Sequence, residues 1–188
     1  MVSNTKEIAL EQAIERRLCG VTSEELAPGA EAPGPFRIGR PSDFDVPLAL
    51  DKAMFWEFLE ATQSKDLEKL KHHNPADWQV KITSQLDKLI KSKGLLHVLK
   101  KGLHVDNAHF QLMYPAPLAS SAQKVHDNFA ANIWSVTRQV HHSTANPNES
   151  VDMVVFLNGL PLVTLELKNA WTHQTARYHG QKQYRERD

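Results

Sequence analysis

Three charged residues near the end of the sequence have the types and spacing of a phosphodiester-cleaving metal site. Asp152 lies in one apolar run, and Glu166 and Lys168 stand two residues apart in the next. Magnesium prefers carboxylate oxygen and often binds through one or two protein carboxylates plus phosphate oxygens. The backbone carbonyl of Leu167 could supply a further oxygen, and a lysine beside the metal can stabilise charge developing on phosphorus or orient the attacking water. The pattern therefore predicts metal-dependent hydrolysis of a phosphodiester.

The two apolar runs are separated by Asn158-Gly159, a turn signal that predicts a β-hairpin. Side chains alternate along a strand, so a two-residue turn at Asn158-Gly159 would put Asp152 and Glu166 on opposite faces. A three-residue loop, Asn158-Gly159-Leu160, would pair Asp152 directly with Glu166. We predict the three-residue loop, because it also leaves the reverse face wholly apolar. That face comprises Met153, Val155, Leu157, Val163, Leu165 and Leu167.

An ordinary salt bridge is the alternative for these charges. Lys168 could pair with Glu166 or Asp152 at an exposed strand end, and the short pattern Asp, turn, Glu-x-Lys also occurs by chance. Two carboxylates directly opposite one another repel, however, which favours a bound cation between them. Spacing alone leaves both interpretations open.

The elements that must position these residues begin with an amphipathic helix. Apolar residues recur with helical period from Lys6 to Leu18, and Gly20 follows where a helix would stop. Glu7, Glu11 and Glu15 are spaced four apart, so they form one acidic stripe along a flank of this helix.

The middle of the chain divides into a loop, a helical region and short strands. Residues 27–47 are so rich in Pro and Gly that we predict a long loop there. Residues 50–94 predict two helices, the first capped by Asp51 and the second ending at Gly94. Short strands are predicted at 95–99, 109–114 and 135–142. The second helix and its continuation are lysine-rich, which indicates a solvated helix face in preference to a phosphate-contacting patch.

Composition excludes several classes of protein. Lys plus Arg and Asp plus Glu both number 22 in 188 residues, so a uniformly basic nucleic-acid binder is excluded and any DNA contact must be local. Cys19 is the single cysteine, no apolar signal peptide opens the sequence, and no run is long enough to span a membrane. We expect a cytoplasmic protein without membrane contact.

The residues that flank Asp152, Glu166 and Lys168 identify a protein family more specifically than these three residues alone. The core pattern of the PD-(D/E)xK nuclease superfamily is an Asp, a hairpin and Glu-x-Lys, which this sequence resembles. Residues 151–169 resemble, more closely, the N-terminal nuclease domain of the type I restriction enzyme R subunit. Motifs of that family also occur on both sides of this stretch. The upstream ones resemble Asn132 and Thr137-Arg138-Gln139, and a downstream one resembles Gln183-Tyr184-Arg185. The resemblance covers most of the chain.

The resemblance implies roles for individual residues. Asp152 and Glu166 would be metal ligands, Lys168 the catalytic lysine, and Glu11 an acidic residue reaching the site from the first helix. The family also has a Gln with a Tyr four residues on. Gln174 and Tyr178 have that spacing in the last helix, whereas Gln181 and Tyr184 are three apart. These four residues are expected to bind DNA or support the site.

The resemblance also implies the fold and the setting. We expect an α/β, restriction-endonuclease-like fold, a mixed β-sheet flanked by helices, with residues 1–188 forming the nuclease domain and the C-terminal helix cut short. The activity would be magnesium-dependent cleavage of unmethylated foreign double-stranded DNA, as a type I site-specific deoxyribonuclease. Methyltransferase and specificity subunits would be its partners.

The family's motor would lie elsewhere. R subunits carry ATP-driven translocation domains with a Gly-x-x-x-x-Gly-Lys-Ser/Thr loop, which these residues lack, so the chain is expected to be an N-terminal fragment that uses ATP only through domains outside it. The alternative function is a module of the same complex that guides DNA or docks subunits and cleaves little in isolation.

Overall fold

The computed structural model describes residues 2–146 and 148–167, with side chains described from Glu7 onward. Its described elements form two compact units, one made of residues up to Asp51 and from Trp134 onward, the other of Lys52–Ile133. The helices are α1 Val2–Cys19, α2 Lys52–His73, α3 Trp78–Lys93, α4 Leu95–Lys101 and α5 Gln123–Ala130. The strands are β1 Arg37–Ile38, β2 Phe44–Asp45, β3 Leu50–Asp51, β4 Leu103–Val105, β5 Ala108–Phe110, β6 Trp134–His141, β7 Ser150–Leu157 and β8 Leu160–Leu165.

A mixed four-stranded sheet organises the first unit. Its strand order is β1-β6-β7-β8, with β1 parallel to β6 and the other neighbours antiparallel. The predicted α/β class, a mixed sheet with flanking helices, is confirmed. The predicted helix at the start of the chain and the predicted strand before His142 are also present, as α1 and β6.

Helix α1 buries one side of itself against this sheet. Cys19, at its end, forms an apolar cluster with Val136 of β6 and Met153 of β7. Partly buried neighbours complete the cluster, namely Ile14, Leu18, Ala32, Phe36, Ile38, Val155, Leu165 and Leu167. Since apolar burial is the main force that docks an amphipathic helix, this cluster sets where the acidic stripe of α1 lies.

The Pro/Gly-rich segment 27–47 is more than a loop. It contains the edge strand β1, a 3₁₀ turn at Pro41–Asp43 and the two-residue strand β2. Strand β1 is short and lies at the sheet edge, where a segment with many prolines is tolerated. The chain also passes so close to α1 that a Cβ on Gly34 would collide with the backbone of Cys19.

The second unit is mainly helical and contains two corrections. Helix α2 begins directly after Asp51, as predicted, and buries Phe55, Phe58 and Leu59. The strand predicted at 95–99 is wrong, because these residues belong to helix α4. A short apolar run does not distinguish a strand from a buried helical turn. The strand predicted at 109–114 is only partly correct, since β5 covers Ala108–Phe110 and pairs with β4.

None of the helices in the described part of the chain combines the length and apolar character that crossing a lipid bilayer requires.

Candidate active site

The hairpin of β7 and β8 closes with a tight two-residue turn. Leu157 pairs with Leu160, and Asn158 and Gly159 between them have φ of 52° and 80°. Positive φ at both central positions matches a type I′ turn, which Asn-Gly strongly favours because its twist suits paired strands. The predicted three-residue loop is therefore wrong.

A β-bulge one step further on restores the register that the loop was meant to provide. Phe156 pairs with Pro161, but Val155 pairs with Val163, so Leu162 is an extra residue on β8. Proline has no N–H to donate to the ladder, and such positions are where bulges are found.

The bulge decides where the two carboxylates stand. Beyond it Met153 pairs with Leu165, the last residue of β8, and extending this register by one residue sets Asp152 opposite Glu166. The predicted juxtaposition therefore arises from a tight turn plus a bulge.

Asp152 is fixed by the chain that follows β8. One of its oxygens, Oδ2, accepts a 2.6 Å hydrogen bond from the backbone N–H of Leu167. Leu167 packs into the apolar cluster beneath α1, so the segment that carries Glu166 is anchored on both sides of that residue. Glu166 is half-buried, and its Oε1 atom is shielded from solvent.

Glu11 reaches the same sheet from α1. It is 1% exposed, and its Oε2 accepts a 3.0 Å hydrogen bond from Arg138 Nε. Its Oε1 accepts a 2.8 Å hydrogen bond from Gln139 Nε2. Burial raises the pKa of Glu11 against the opposing effect of these two donors, and the negative charge of Asp152 raises it further.

The neighbours of Glu11 on the acidic stripe behave differently from one another. Glu15 is 1% exposed and forms an ion pair with Arg138 at 3.1 Å. Glu7 is half-buried.

Arg138 is the cation that holds the buried carboxylates, and no role was assigned to it from sequence. Its guanidinium is 12% exposed and also pairs with Glu24 at 2.8 Å. Arginine presents several donors in a rigid planar fork, which suits a site with more than one carboxylate. An arginine in the otherwise uncharged strand β6 was the available signal, because an unpaired charge would not be tolerated there.

Gln139 connects Glu11 to the strand that carries Asp152. Its side-chain oxygen accepts a 2.9 Å hydrogen bond from Ser150 Oγ, which orients the amide so that Nε2 faces Glu11. Gln139 has φ of 52° in the middle of β6, and the flanking pairs set it opposite Asp152. A non-glycine residue in this region stores strain, which is found most often at functional sites.

The described residues fit a magnesium site with few protein ligands. No group of three or more His, Cys, Asp or Glu side chains among them is arranged to hold a metal. Magnesium, however, is often bound through one or two carboxylates with waters and phosphate oxygens completing the shell. Asp152 and Glu166 supply that pair of carboxylate oxygens. The backbone carbonyl of Leu167, the residue after Glu166, is the third predicted ligand.

Five of the candidate residues lie outside the described part of the chain. They are Lys168, Gln174, Tyr178, Gln181 and Tyr184. Their roles in catalysis and DNA binding stay predictions.

Comparison with known proteins assigns the family. The family model of the type I restriction enzyme R protein N terminus matches residues 52–188 of the sequence. This range includes Asp152, Glu166 and Lys168 but not Glu11. No curated protein and no solved structure is significantly similar to the chain. The match extends over most of the sequence, and the chain belongs to the family of type I restriction enzyme R protein N termini.

Proposed function

We propose that this chain is a magnesium-dependent DNA endonuclease domain that hydrolyses phosphodiester bonds in double-stranded DNA. The observation that carries the proposal is the register of the β7–β8 hairpin, which sets Asp152 opposite Glu166. Family membership supports the setting, a type I restriction enzyme R protein.

In this proposal Asp152 and Glu166 hold the metal through carboxylate oxygens. The Leu167 N–H already occupies Asp152 Oδ2, which leaves Oδ1 best placed as the ligand atom. Magnesium bound there would supply the positive charge that stabilises the phosphorane-like transition state. Lys168 would stand beside the scissile phosphate and stabilise the same developing charge.

Glu11 serves the site as a buried carboxyl group held by two hydrogen-bond donors. Both of its oxygens accept hydrogen bonds from Arg138 and Gln139, so it is better suited to position Gln139 and attract a cation than to bind the metal directly. This assigns it a positioning role that acts through Gln139, the residue opposite Asp152.

Target recognition would lie with other subunits. As a type I R protein the chain would work with methyltransferase and specificity subunits in the cytoplasm, and ATP-driven motor domains of a longer chain would deliver unmethylated DNA to it.

Metal titration tests the proposal. Asp152→Asn and Glu166→Gln keep side-chain shape and remove charge, so each should abolish calorimetric Mn²⁺ binding and Mg²⁺-dependent nicking of plasmid DNA. Asp127→Asn, an exposed change in α5, is the matched control and should leave both unchanged.

The alternative function is DNA guiding or subunit docking by the same domain. It would be favoured by a wild-type chain that is folded but binds no Mn²⁺, or by Asp152→Asn binding Mn²⁺ as tightly as wild type.

A further inference from the structure

The second unit carries a concentration of positive charge that the proposed active site does not use. Residues 78–105 contain six lysines and one acidic residue, Asp87. The lysines are Lys81, Lys88, Lys91, Lys93, Lys100 and Lys101. Lys91 is paired with Asp87, and Lys81 with Asp106. Within the described residues no ion pair involves the other four.

One face of α3 presents several side-chain donors for an anion. Ser84 and Gln85 lie three and four residues after Lys81, and Lys88 lies four and three residues after them, so all four share one face. The opposite side of α3 is held in the core by the buried Ile82 and Leu86.

This face lines a cavity. The α3 groove, a cavity of about 390 Å³, is bounded by that face of α3 and by the end of β4. Its lining residues are Lys81, Ser84, Gln85, Lys88, His104, Val105 and Asp106. The single acid that lines the cavity, Asp106, accepts hydrogen bonds from Lys81 at 2.8 Å and from Asn74 at 3.0 Å. Asp106 and Lys81 therefore neutralise each other, and Lys88 supplies the excess positive charge of the groove.

We infer that the α3 groove binds the phosphate backbone of double-stranded DNA. Lysine, serine and glutamine side chains are typical phosphate contacts, and they position a duplex without reading its sequence. From Lys81 to Lys88 the face extends about 10 Å along the helix at 1.5 Å per residue, enough to contact neighbouring phosphates of one strand. The inference rests on the proposed function for its choice of DNA as the anion.

A binding measurement without divalent metal tests this inference separately from cleavage. The 188-residue chain is titrated into a fluorescent 30-base-pair duplex in EDTA, and anisotropy is recorded across a salt series. Lys88→Gln should weaken binding about three- to tenfold and reduce the salt slope by about 0.9, the contribution of one phosphate contact. Lys88→Glu should weaken it more.

The matched control is Lys124→Gln, which removes the same charge from an exposed position on α5 and should change affinity less than twofold. Equal effects of Lys88→Gln and Lys124→Gln would overturn the inference, as would a wild-type chain that does not bind the duplex. Tighter binding of single-stranded RNA of the same length would overturn it in favour of an RNA ligand. A wild-type chain that binds no Mn²⁺ would count against the proposed nuclease but would leave the DNA-binding result for the α3 groove intact.

Discussion

Arg138 Nε donates a 3.0 Å hydrogen bond to Glu11 Oε2, joining the first helix to a central strand of the sheet across 127 residues of sequence. The same guanidinium binds Glu15, and both carboxylates are 1% exposed. A buried cation shared by two buried carboxylates fixes the helix in rotation and depth, because no other position satisfies all three charges.

Removing this cation should be costly. In Arg138→Met the side-chain stem is kept, but Glu11 and Glu15 are left buried without their cation, so we expect a loss of about 3–5 kcal/mol in the free energy of unfolding. Urea unfolding followed by circular dichroism measures it. Adding Glu11→Gln should recover part of the loss.

The control for Arg138 is Arg16→Met, which removes an exposed pair with Glu25 whose side chains are 55% and 48% exposed. It should cost under about 1 kcal/mol. Similar losses in the two arginine variants would show that Arg138 is an ordinary surface residue.

The bulge makes hairpin deletions behave unequally. Deleting Leu162 removes the extra residue and leaves Val163 opposite Val155, so Asp152 should still face Glu166 and Mn²⁺ binding should persist. Deleting Leu162 and Val163 together shifts the strand by one further residue. Glu166 would then lie opposite Met153 on the apolar face, and Mn²⁺ binding should be lost.

The two deletions differ by one residue, so each is the control for the other. A folded single deletion that loses Mn²⁺ binding, or a double deletion that keeps it, would contradict the role given to register.

Cys19 should be chemically silent in the folded chain. Burial raises the pKa of its thiol to about 12, and the charge of Glu15 adds to the effect. Thiolate is the reactive form, so a disulfide reagent at pH 8.5 should label native protein far more slowly than urea-unfolded protein. Because the pKa is raised on folding, stability should also fall as the pH rises from about 9 towards 12. Rapid labelling of the native chain would show that the cluster beneath α1 is open.

The features that sequence predicted correctly are governed by local patterns. The helical spacing of apolar residues alone identifies α1. Apolar strand-like runs on both sides of an Asn-Gly turn signal identify the β7–β8 hairpin. The predicted loop length was wrong because two requirements conflict when no bulge is considered. Asn-Gly favours a two-residue turn, whereas placing Asp152 and Glu166 on one face requires an odd number of loop residues. Pro161 and the extra Leu162 reconcile them, and a bulge has no strong local signature.

The features that sequence missed depend on tertiary contacts. Nothing near Arg138 in the sequence indicates that its partners lie on α1 and in the loop after it, at Glu11, Glu15 and Glu24. Likewise, helix α4 at residues 95–101 is decided by burial of Val98 and Leu99 within its unit, which an apolar run of this length does not reveal.

The most direct measurement is the anomalous difference density of a crystal of this chain soaked in Mn²⁺. We expect one peak between the carboxylates of Asp152 and Glu166, within coordination distance of an oxygen of each, and no peak in an Asp152→Asn crystal soaked in the same way. Density bound elsewhere, or Asp152 and Glu166 facing apart with no ion between them, would contradict this expectation.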